Sequence, residues 1–462
     1  MRLIEDFEKS GFFWLPSSPE KKIPGTLRIL DGGNISLEIV GSFGDSFDSL
    51  NRDMNIGRIV GHIESDKLVT LERCFYKTRS LSFGGIEKSS IRANKALIGV
   101  SYDYGEEVLI NQLQFSVDGI DEWIGICGIK VDHQFESKTS SIRYFPPENI
   151  SITLNDGLRL VITFTWTLPS SPITTEAKIT QKTYFALASS EARPLDDFIS
   201  AAHKITNLVG FAADETVCLE SVTVASNSLT AGNINGKPIL EKISLFYTSL
   251  PFTKDRPKIN RHEMLFNFPQ IRSDWERIVK NWFSAYDLID PALNLYFSTK
   301  TGVHRYLDGK FLALAQGLET YHRRISSEKQ MDENSFDSLK ESLIEGCPEK
   351  YRDWLSGRLQ HGNEINLRKR LNRIIEPFND VIGSRDYQKR LIRSIVNTRN
   401  YLTHYDQSLE AESSTGIDLW HLCRKMEAIF QLHILQVLGF PPEQIKAIHN
   451  NSVELQQKLK NA

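Results

Sequence analysis

The chain has little cysteine, no long apolar segment and no marked excess of charge of either sign. Its five cysteines are scattered and never spaced as C-x-x-C, which argues against a zinc ribbon or a disulfide framework and fits a reducing compartment. No apolar run approaches the ~20 residues that cross a bilayer. The first residues, MRLIEDFEKSGFFWLP, lack the apolar core of a signal peptide. We therefore expect a soluble cytoplasmic protein with no membrane partner.

The sequence also lacks the motifs of several large enzyme classes. It contains no P-loop, no Rossmann glycine signature, no H-E-x-x-H and no G-x-S-x-G element. Nucleotide hydrolysis and metalloprotease chemistry therefore have no support, and we expect neither a cofactor nor a bound metal. The formal net charge of −3 gives the whole molecule no positive excess for nucleic acid, so charge must be considered locally.

What the sequence does contain is a change of hydrophobic period along its 462 residues, a length that suggests more than one domain. From about residue 24 to residue 250, short segments rich in Val, Ile, Thr and aromatics alternate with Gly, Asn, Asp and Ser. Examples are IPGTLRIL, NISLEIVG and LRLVITFTW. They predict antiparallel strands in a sandwich or barrel-like domain, with one helix at 194–211. We expect Trp14, Trp123 and Trp166 in its core.

Beyond the proline-containing segment 251–272 the spacing becomes helical, as in 308–324, 384–405 and 416–440. Five or more helices with short connections predict a bundle. The predicted fold class is thus α+β multidomain, a β-rich N-terminal half followed by an all-α bundle. The predicted domains are 1–250 and 273–462, joined by a linker at 251–272.

One helical segment, SRDYQKRLIRSIVNTRNYLTHY (384–405), carries a chemical pattern at its end. Leu391 and Ile395 start one row along the helix, and this row reaches Arg399. The adjacent row reaches Asn400 and then His404, so three polar residues are expected to continue a buried face. A histidine can act as base or acid, an arginine can hold phosphate, and an asparagine can orient the histidine ring or donate to phosphate. Together they could cut RNA by attack of the ribose 2′-OH, which DNA lacks.

The same residues have a structural explanation. Cations near a helix C-terminus are stabilised by the helix dipole by roughly 0.3–1 kcal/mol, which alone could account for Arg399 and His404. A similar spacing recurs by chance at Arg256 and His262, in the proline-containing segment. The rival interpretation is therefore a non-catalytic protein whose helical bundle dimerises or binds RNA.

The motif RNYLTHY (399–405) resembles the R-N-x-x-x-H signature of HEPN domains. The helix DGKFLALAQGLETYHRR (308–324) resembles the opening helix of the ApeA-like HEPN branch, where an L-E-x-x-H-R pattern recurs. Residues 11–41, GFFWLPSSPEKKIPGTLRILDGGNISLEIVG, are similar to the start of the β-rich domain that precedes this HEPN domain in ApeA-type bacterial anti-phage proteins. The resemblance thus touches both halves of the chain.

This resemblance implies a metal-independent endoribonuclease with Arg399, Asn400 and His404 as catalytic residues. It implies a homodimer through the HEPN domain, in which one His acts as base and the other as acid. It also implies abortive anti-phage defence. A phage-derived trigger would release the nuclease, the β-rich domain would be the sensor or regulator, and host or phage RNA (tRNA among the candidates) would be cut.

Three further residues are candidate supports for the site. Glu319 could hold Arg399 or polarise His404, and His322 could touch RNA, whereas Glu319 and Arg323 could equally be an ordinary i,i+4 surface pair. Residues 351–405 also carry eleven Lys and Arg against five Asp and Glu, which predicts either an RNA-backbone surface or a solvated face. The apolar segment 417–438 is either the central core helix or part of a dimer interface.

Overall fold

The computed structural model describes residues 1–43, 55–80, 87–168, 175–234 and 236–460. The chain divides into two compact units, Met1–Lys280 and Asn281–Ala462. Strands dominate the first unit and helices dominate the second. The predicted fold class is therefore confirmed, while the predicted domain limits at 250 and 272 stay predictions.

Antiparallel strands are the main elements of the first unit, and thirteen of the seventeen described strands join one large sheet. In the described residues they are β1 (Phe7–Trp14), β2 (Ile23–Leu30), β3 (Asn34–Val40), β4 (Asn55–Ile63), β5 (Lys67–Ser80), β6 (Lys88–Ala93), β7 (Lys95–Ile98), β8 (Leu109–Val117), β9 (Ile129–Gln134), β10 (Thr139–Tyr144), β11 (Ile150–Thr153), β12 (Arg159–Thr167), β13 (Thr180–Pro194), β14 (Leu219–Ala225), β15 (Thr230–Ile234), β16 (Lys237–Leu240) and β17 (Ile243–Tyr247).

Six of these strands close into a barrel. They lie in the order β5-β4-β1-β2-β3-β6, and β6 pairs back onto β5. The same sheet continues from β5 through β7, β17, β14, β8, β13 and β12 to β11, while β9–β10 and β15–β16 form separate two-stranded ribbons. The sequence predicted either a sandwich or a barrel-like domain. Closure of the six strands shows that it is a barrel, which an open sheet extends.

The barrel is filled by the inward side chains of alternating strand positions. Among them are Phe13, Leu27 and Leu37, each of which is at most 1% exposed. Two strands of its wall approach closely where β1 pairs with β4. A Cβ on Gly11 would lie 2.3 Å from the carbonyl oxygen of His62, so only glycine permits this approach. Burial of these apolar side chains against each other is the main force holding the barrel closed.

Three helices accompany the sheet: α1 (Ile120–Ile124), α2 (Leu195–Ala213) and α3 (Phe268–Ile271). The helix predicted at 194–211 is α2, and Pro194 is its N-cap. Trp123 of α1 is fully buried and its Nε1 donates to the carbonyl oxygen of Phe266 at 3.1 Å. Trp166, by contrast, is 45% exposed, so the expectation that it lies in the core is wrong. Residues 251–266 contain neither helix nor strand.

Helices dominate the second unit, and the last of them ends at Leu459. Its described helices are α4 (Trp275–Ser298), which begins in the first unit, α5 (Leu307–Ile325), α6 (Glu333–Glu345), α7 (Glu349–Leu359), α8 (Leu367–Ile375), α9 (Asn379–Ile382), α10 (Arg385–His404), α11 (Gly416–Val437), α12 (Pro442–Asn451) and α13 (Val453–Leu459). In the described part of the chain, no helix has both the length and the apolar character needed to span a membrane.

Helix α11 forms the centre of this bundle. Its side chains are buried on several faces, including Leu422, Met426 and Phe430, and it packs against α5, α10, α12 and α13. Of the two roles left open by the sequence, the core role describes this packing. The same helix carries His433, whose Nε2 donates to the carbonyl oxygen of Ile374 at 2.8 Å, and burial lowers the pKa of His433 to about 4.

A buried carboxylate on α11 is surrounded by three ammonium groups. Glu427 is 3% exposed, and its oxygens lie 2.5 Å from Nζ of Lys300, 2.8 Å from Nζ of Lys458 and 3.5 Å from Nζ of Lys310. Burial alone would raise the pKa of Glu427, but the lysines, Lys300 foremost, outweigh it and hold the pKa far below its usual range. This cluster ties α5, α13 and the turn after α4 to the central helix.

Candidate functional site

Helix α10 presents the residues predicted to carry the chemistry. Gly383, at φ 113°, makes the turn before it, a conformation that favours glycine. The Ser384 side chain accepts from the Tyr387 amide as the N-cap. The helix ends at His404, where Tyr405 takes a left-handed conformation at φ 51°. The segment predicted at 384–405 is thus a helix at Arg385–His404.

The buried face of α10 does not continue into the motif as the sequence suggested. Its buried residues after Ile392 are Ile395, Thr398 and Leu402, which step by three and four residues and so stay on one side. A row of four-residue steps instead turns by about 40° at each step, because α-helical residues are about 100° apart. Three such steps carry the row from Ile392 to His404 through about 120°. His404 is accordingly exposed.

Arg399 lies at the border between the buried and exposed faces, with 35% of its side chain exposed. Its Nη1 donates to Oδ1 of Asn400 at 3.3 Å, and its Nη2 lies 4.0 Å from Oε2 of Glu319 on α5. Asn400 and Glu319 therefore both orient the guanidinium of Arg399. The carboxylate of Glu319 also partly offsets its positive charge. One of the two roles considered for Glu319, holding Arg399, describes this arrangement.

Glu319 also accepts from Arg323, one turn further along α5, at 3.2 Å from Nε and 3.0 Å from Nη2. Arg323 in turn donates to Glu364, which precedes α8. That hydrogen bond, first among several causes, holds the pKa of Glu364 below its usual range. The predicted i,i+4 pair is real, but it is one link in a chain of charges from α8 to Arg399.

His322 is turned away from the surface. It is 4% exposed, and its Nδ1 lies 3.2 Å from Nη1 of Arg370 on α8. Because a guanidinium can only donate, Nδ1 must be the acceptor and the ring is neutral. Burial, followed by the charge of Arg370, lowers the pKa of His322. A direct contact of His322 with RNA, as the sequence suggested, would require this packing to open.

Arg370 also belongs to this group, although the sequence does not indicate it as a site residue. It is 3% exposed and lies 3.6 Å from Glu364, while its Nε has no partner among the described atoms. The only signal for it was its place in the basic run, because the contact with His322 joins residues 48 positions apart. Burying an arginine is costly unless it is paired, so this contact fixes α8 against α5.

His404 stands free at the end of α10. Among the described residues its ring makes no hydrogen bond or ion pair, and the carboxylate of Asp406 is its charged neighbour. At the same helix end the rings of Tyr401 and Tyr405 pack edge to face, with centroids 5.7 Å apart. The imidazole is therefore accessible to a bound molecule.

The helix end is fixed by residues 407–412, a short 3-10 segment that folds back along α10. Glu412 accepts from Nδ2 of Asn397 at 2.6 Å, and the amide of Ser414 donates to Oγ1 of Thr398 at 2.9 Å. Among the described residues the site thus consists of an arginine with two polar neighbours and a histidine whose ring has no hydrogen-bond partner. Both lie on a helix whose end is fixed by the segment that follows it. The described residues hold no group of three or more His, Cys, Asp or Glu side chains placed to bind a metal ion.

Comparison with protein families accounts for both units. The model of ApeA N-terminal domain 1 matches residues 8–282, more than half of the chain, and the model of the Apea-like HEPN domain matches residues 312–444. The second match contains Glu319, Arg370, Arg399, Asn400 and His404. No curated protein and no solved structure gives a match. The chain therefore belongs to the ApeA family, with an ApeA N-terminal domain followed by an Apea-like HEPN domain.

Proposed function

We propose that this protein is an endoribonuclease of the HEPN type that acts in bacterial anti-phage defence, in the cytoplasm. The Apea-like HEPN match indicates a nuclease of this kind at the level of the family. The observation that supports catalysis in this chain is the pairing of an oriented Arg399 with an exposed, unbonded His404 at one helix end.

In the proposed reaction the ribose 2′-oxygen attacks the adjacent phosphorus. The P–O2′ bond forms and the P–O5′ bond breaks, which leaves a 2′,3′-cyclic phosphate and a 5′-hydroxyl. A base removes the 2′ proton and an acid protonates the departing O5′. Arg399 stabilises the charge that builds on the phosphate oxygens. Asn400 accepts from Arg399 and keeps its planar fork turned toward the phosphate.

One histidine cannot be base and acid in the same step. Two copies of the chain, paired through their helical domains, would supply His404 twice, so we propose a homodimer as the active form. The β-rich unit would hold the nuclease inactive until a phage-derived component binds. The RNA is host or phage RNA, with tRNA among the candidates.

The rival function is a non-catalytic RNA-binding or dimerising protein. One observation favours it: the ion pair with Glu319, although long at 4.0 Å, gives Arg399 a structural partner within its own chain. In that case removal of His404 would leave any RNA cleavage unchanged.

The test is an incubation of full-length protein with total bacterial RNA in EDTA. The parent is compared with His404→Ala and with a matched control, His449→Ala, which also removes a histidine from the last turn of a helix. We expect cleavage by the parent and the control, loss of cleavage in His404→Ala, and product 5′ ends that a kinase labels without prior phosphatase treatment. Cleavage by His404→Ala at the parental rate would refute the assignment. Inactivity of all three proteins is resolved by adding lysate from phage-infected cells.

A further inference from the structure

The basic residues of segment 351–405 are not equivalent, because seven of the eleven already have partners. Arg352 donates to the carbonyl oxygens of Cys347 and Glu345, and Arg358 lies over the ring of Trp354. The other five partnered side chains are Lys369 and Arg373 with Glu328, Arg370 with His322, Lys389 with Asp386 and Arg399 with Glu319.

Four arginines remain, and in the described part of the chain none of their side chains has a hydrogen-bond, ion-pair or ring partner: Arg368, Arg385, Arg390 and Arg393. All four are exposed. An exposed arginine without a carboxylate nearby keeps its full charge and its donors for another molecule. These four are therefore the side chains of the run that an anion can reach without breaking an existing contact.

Two of the four point the same way as His404. At about 100° per residue, Arg393 lies about 20° to one side of the direction of His404 on α10 and Arg390 about 40° to the other side, whereas Arg385 lies about 100° away. The rise along the helix places Arg393 about 16 Å and Arg390 about 21 Å from His404. This distance corresponds to a few nucleotides of an extended strand.

The neighbouring side of the same face is acidic. The segment that braces α10 brings Glu412 to Asn397, between Arg393 and His404, and it also carries Asp406 and Glu410. These carboxylates repel phosphate groups. A polyanion that runs along α10 must therefore pass Glu412 on the side of Arg393 and Asn400. Arg390 is on the other side of His404 but lies beyond Glu412, about 10 Å further from His404 than Asn397 does.

We propose that the exposed face of α10 binds the phosphate backbone of single-stranded RNA, with Arg390 and Arg393 as the contacts that hold the strand a few nucleotides from His404. The surface reads charge and spacing, not base sequence, because Arg390 and Arg393 offer their guanidinium groups to phosphate oxygens. This inference rests on the proposed ribonuclease function, yet it concerns binding and can be measured without cleavage.

The experiment measures binding of full-length protein to a fluorescent 2′-O-methyl oligouridylate, which cannot be cut by 2′-OH attack. The dissociation constant is determined as a function of salt. Each phosphate contact with a single strand contributes about 0.7 to the slope of log K against log salt, so Arg390→Ala/Arg393→Ala should reduce the magnitude of the slope by about 1.4. The matched control, Arg368→Ala/Arg385→Ala, removes the same charge from elsewhere and should change the slope little. Thermal melts confirm that both variants are folded.

The result that overturns the proposal is an equal loss of slope in both double variants, an unchanged slope in Arg390→Ala/Arg393→Ala, or no binding by the parent at low salt. A parallel cleavage assay with unmodified RNA separates the two hypotheses. Cleavage that depends on His404 with no slope change refutes the α10 surface alone. A slope change without any cleavage, even after lysate from phage-infected cells is added, refutes the nuclease alone.

Discussion

The buried cluster around Glu427 gives a sharp prediction about stability. Glu427→Gln keeps the size of the side chain but removes the negative charge that faces Lys300, Lys310 and Lys458. Breaking a buried ion pair costs about 3–5 kcal/mol. For a domain of this size each kcal/mol shifts the melting temperature by about 2–4 °C, so the helical unit should melt about 6–20 °C lower. The loss has to be large because three like charges then face a neutral amide.

The assay is thermal unfolding followed by circular dichroism, with Glu454→Gln as the control. Glu454 pairs with Arg424 at 2.8 Å but is 40% exposed, so its loss should cost less than about 1 kcal/mol. Because the pKa of Glu427 is depressed in the folded state, its contribution is present above the usual value of 4.5 and is lost as pH falls below it. The parent should therefore lose stability faster than the variant in acid. A melting temperature of Glu427→Gln equal to that of Glu454→Gln would refute this reasoning.

Three further predictions follow from other sites. His433 has a pKa of about 4 in the folded state against 6.5 in the unfolded state, so between these pH values the unfolded chain binds more protons. The free energy of unfolding should therefore fall by about 3 kcal/mol from pH 7 to pH 4. Urea titrations of His433→Phe should lack this dependence of stability on pH. Asp118→Asn removes the carboxylate that Arg2 contacts at 3.1 Å in a buried pair, and urea titration should show a loss of about 3–5 kcal/mol. Arg399→Lys keeps the positive charge but loses the planar guanidinium. Losing one hydrogen bond to a charged group should raise the barrier by at least roughly 1.4 kcal/mol, so the RNA cleavage rate should fall at least about tenfold. An unchanged rate would contradict the role given to Arg399.

Local patterns predicted much of the fold because they depend on neighbouring residues. The segment at 23–30 is β2, and the helices of 308–324 and 384–405 are α5 and α10 within a residue or two at each end. β4 was missed because two glycines, Gly57 and Gly61, interrupt its apolar pattern. Closure of the barrel was not predicted, since the pairing of β6 with both β3 and β5 joins segments through tertiary contacts that no local pattern encodes.

The candidate site was predicted in part for the same reason. Glu319 and Arg323 are one turn apart, so helical spacing alone places them together. The burial of His322 against Arg370 depends on how α8 packs on α5, and no spacing within either helix reveals it. The face of His404 was misjudged because rows of four residues were extended over three turns, where a drift of about 40° per step accumulates.

The closed barrel also bears on how copies of this protein behave when crowded. A strand at the edge of a sheet offers unpaired backbone groups on which another chain can add a strand. In the described residues, β6 returns to β5 at one end of the large sheet, so the sheet order terminates at the other end in β11, only four residues long. Closure of the barrel thus removes one of the two edges that this thirteen-stranded sheet would otherwise offer to another chain.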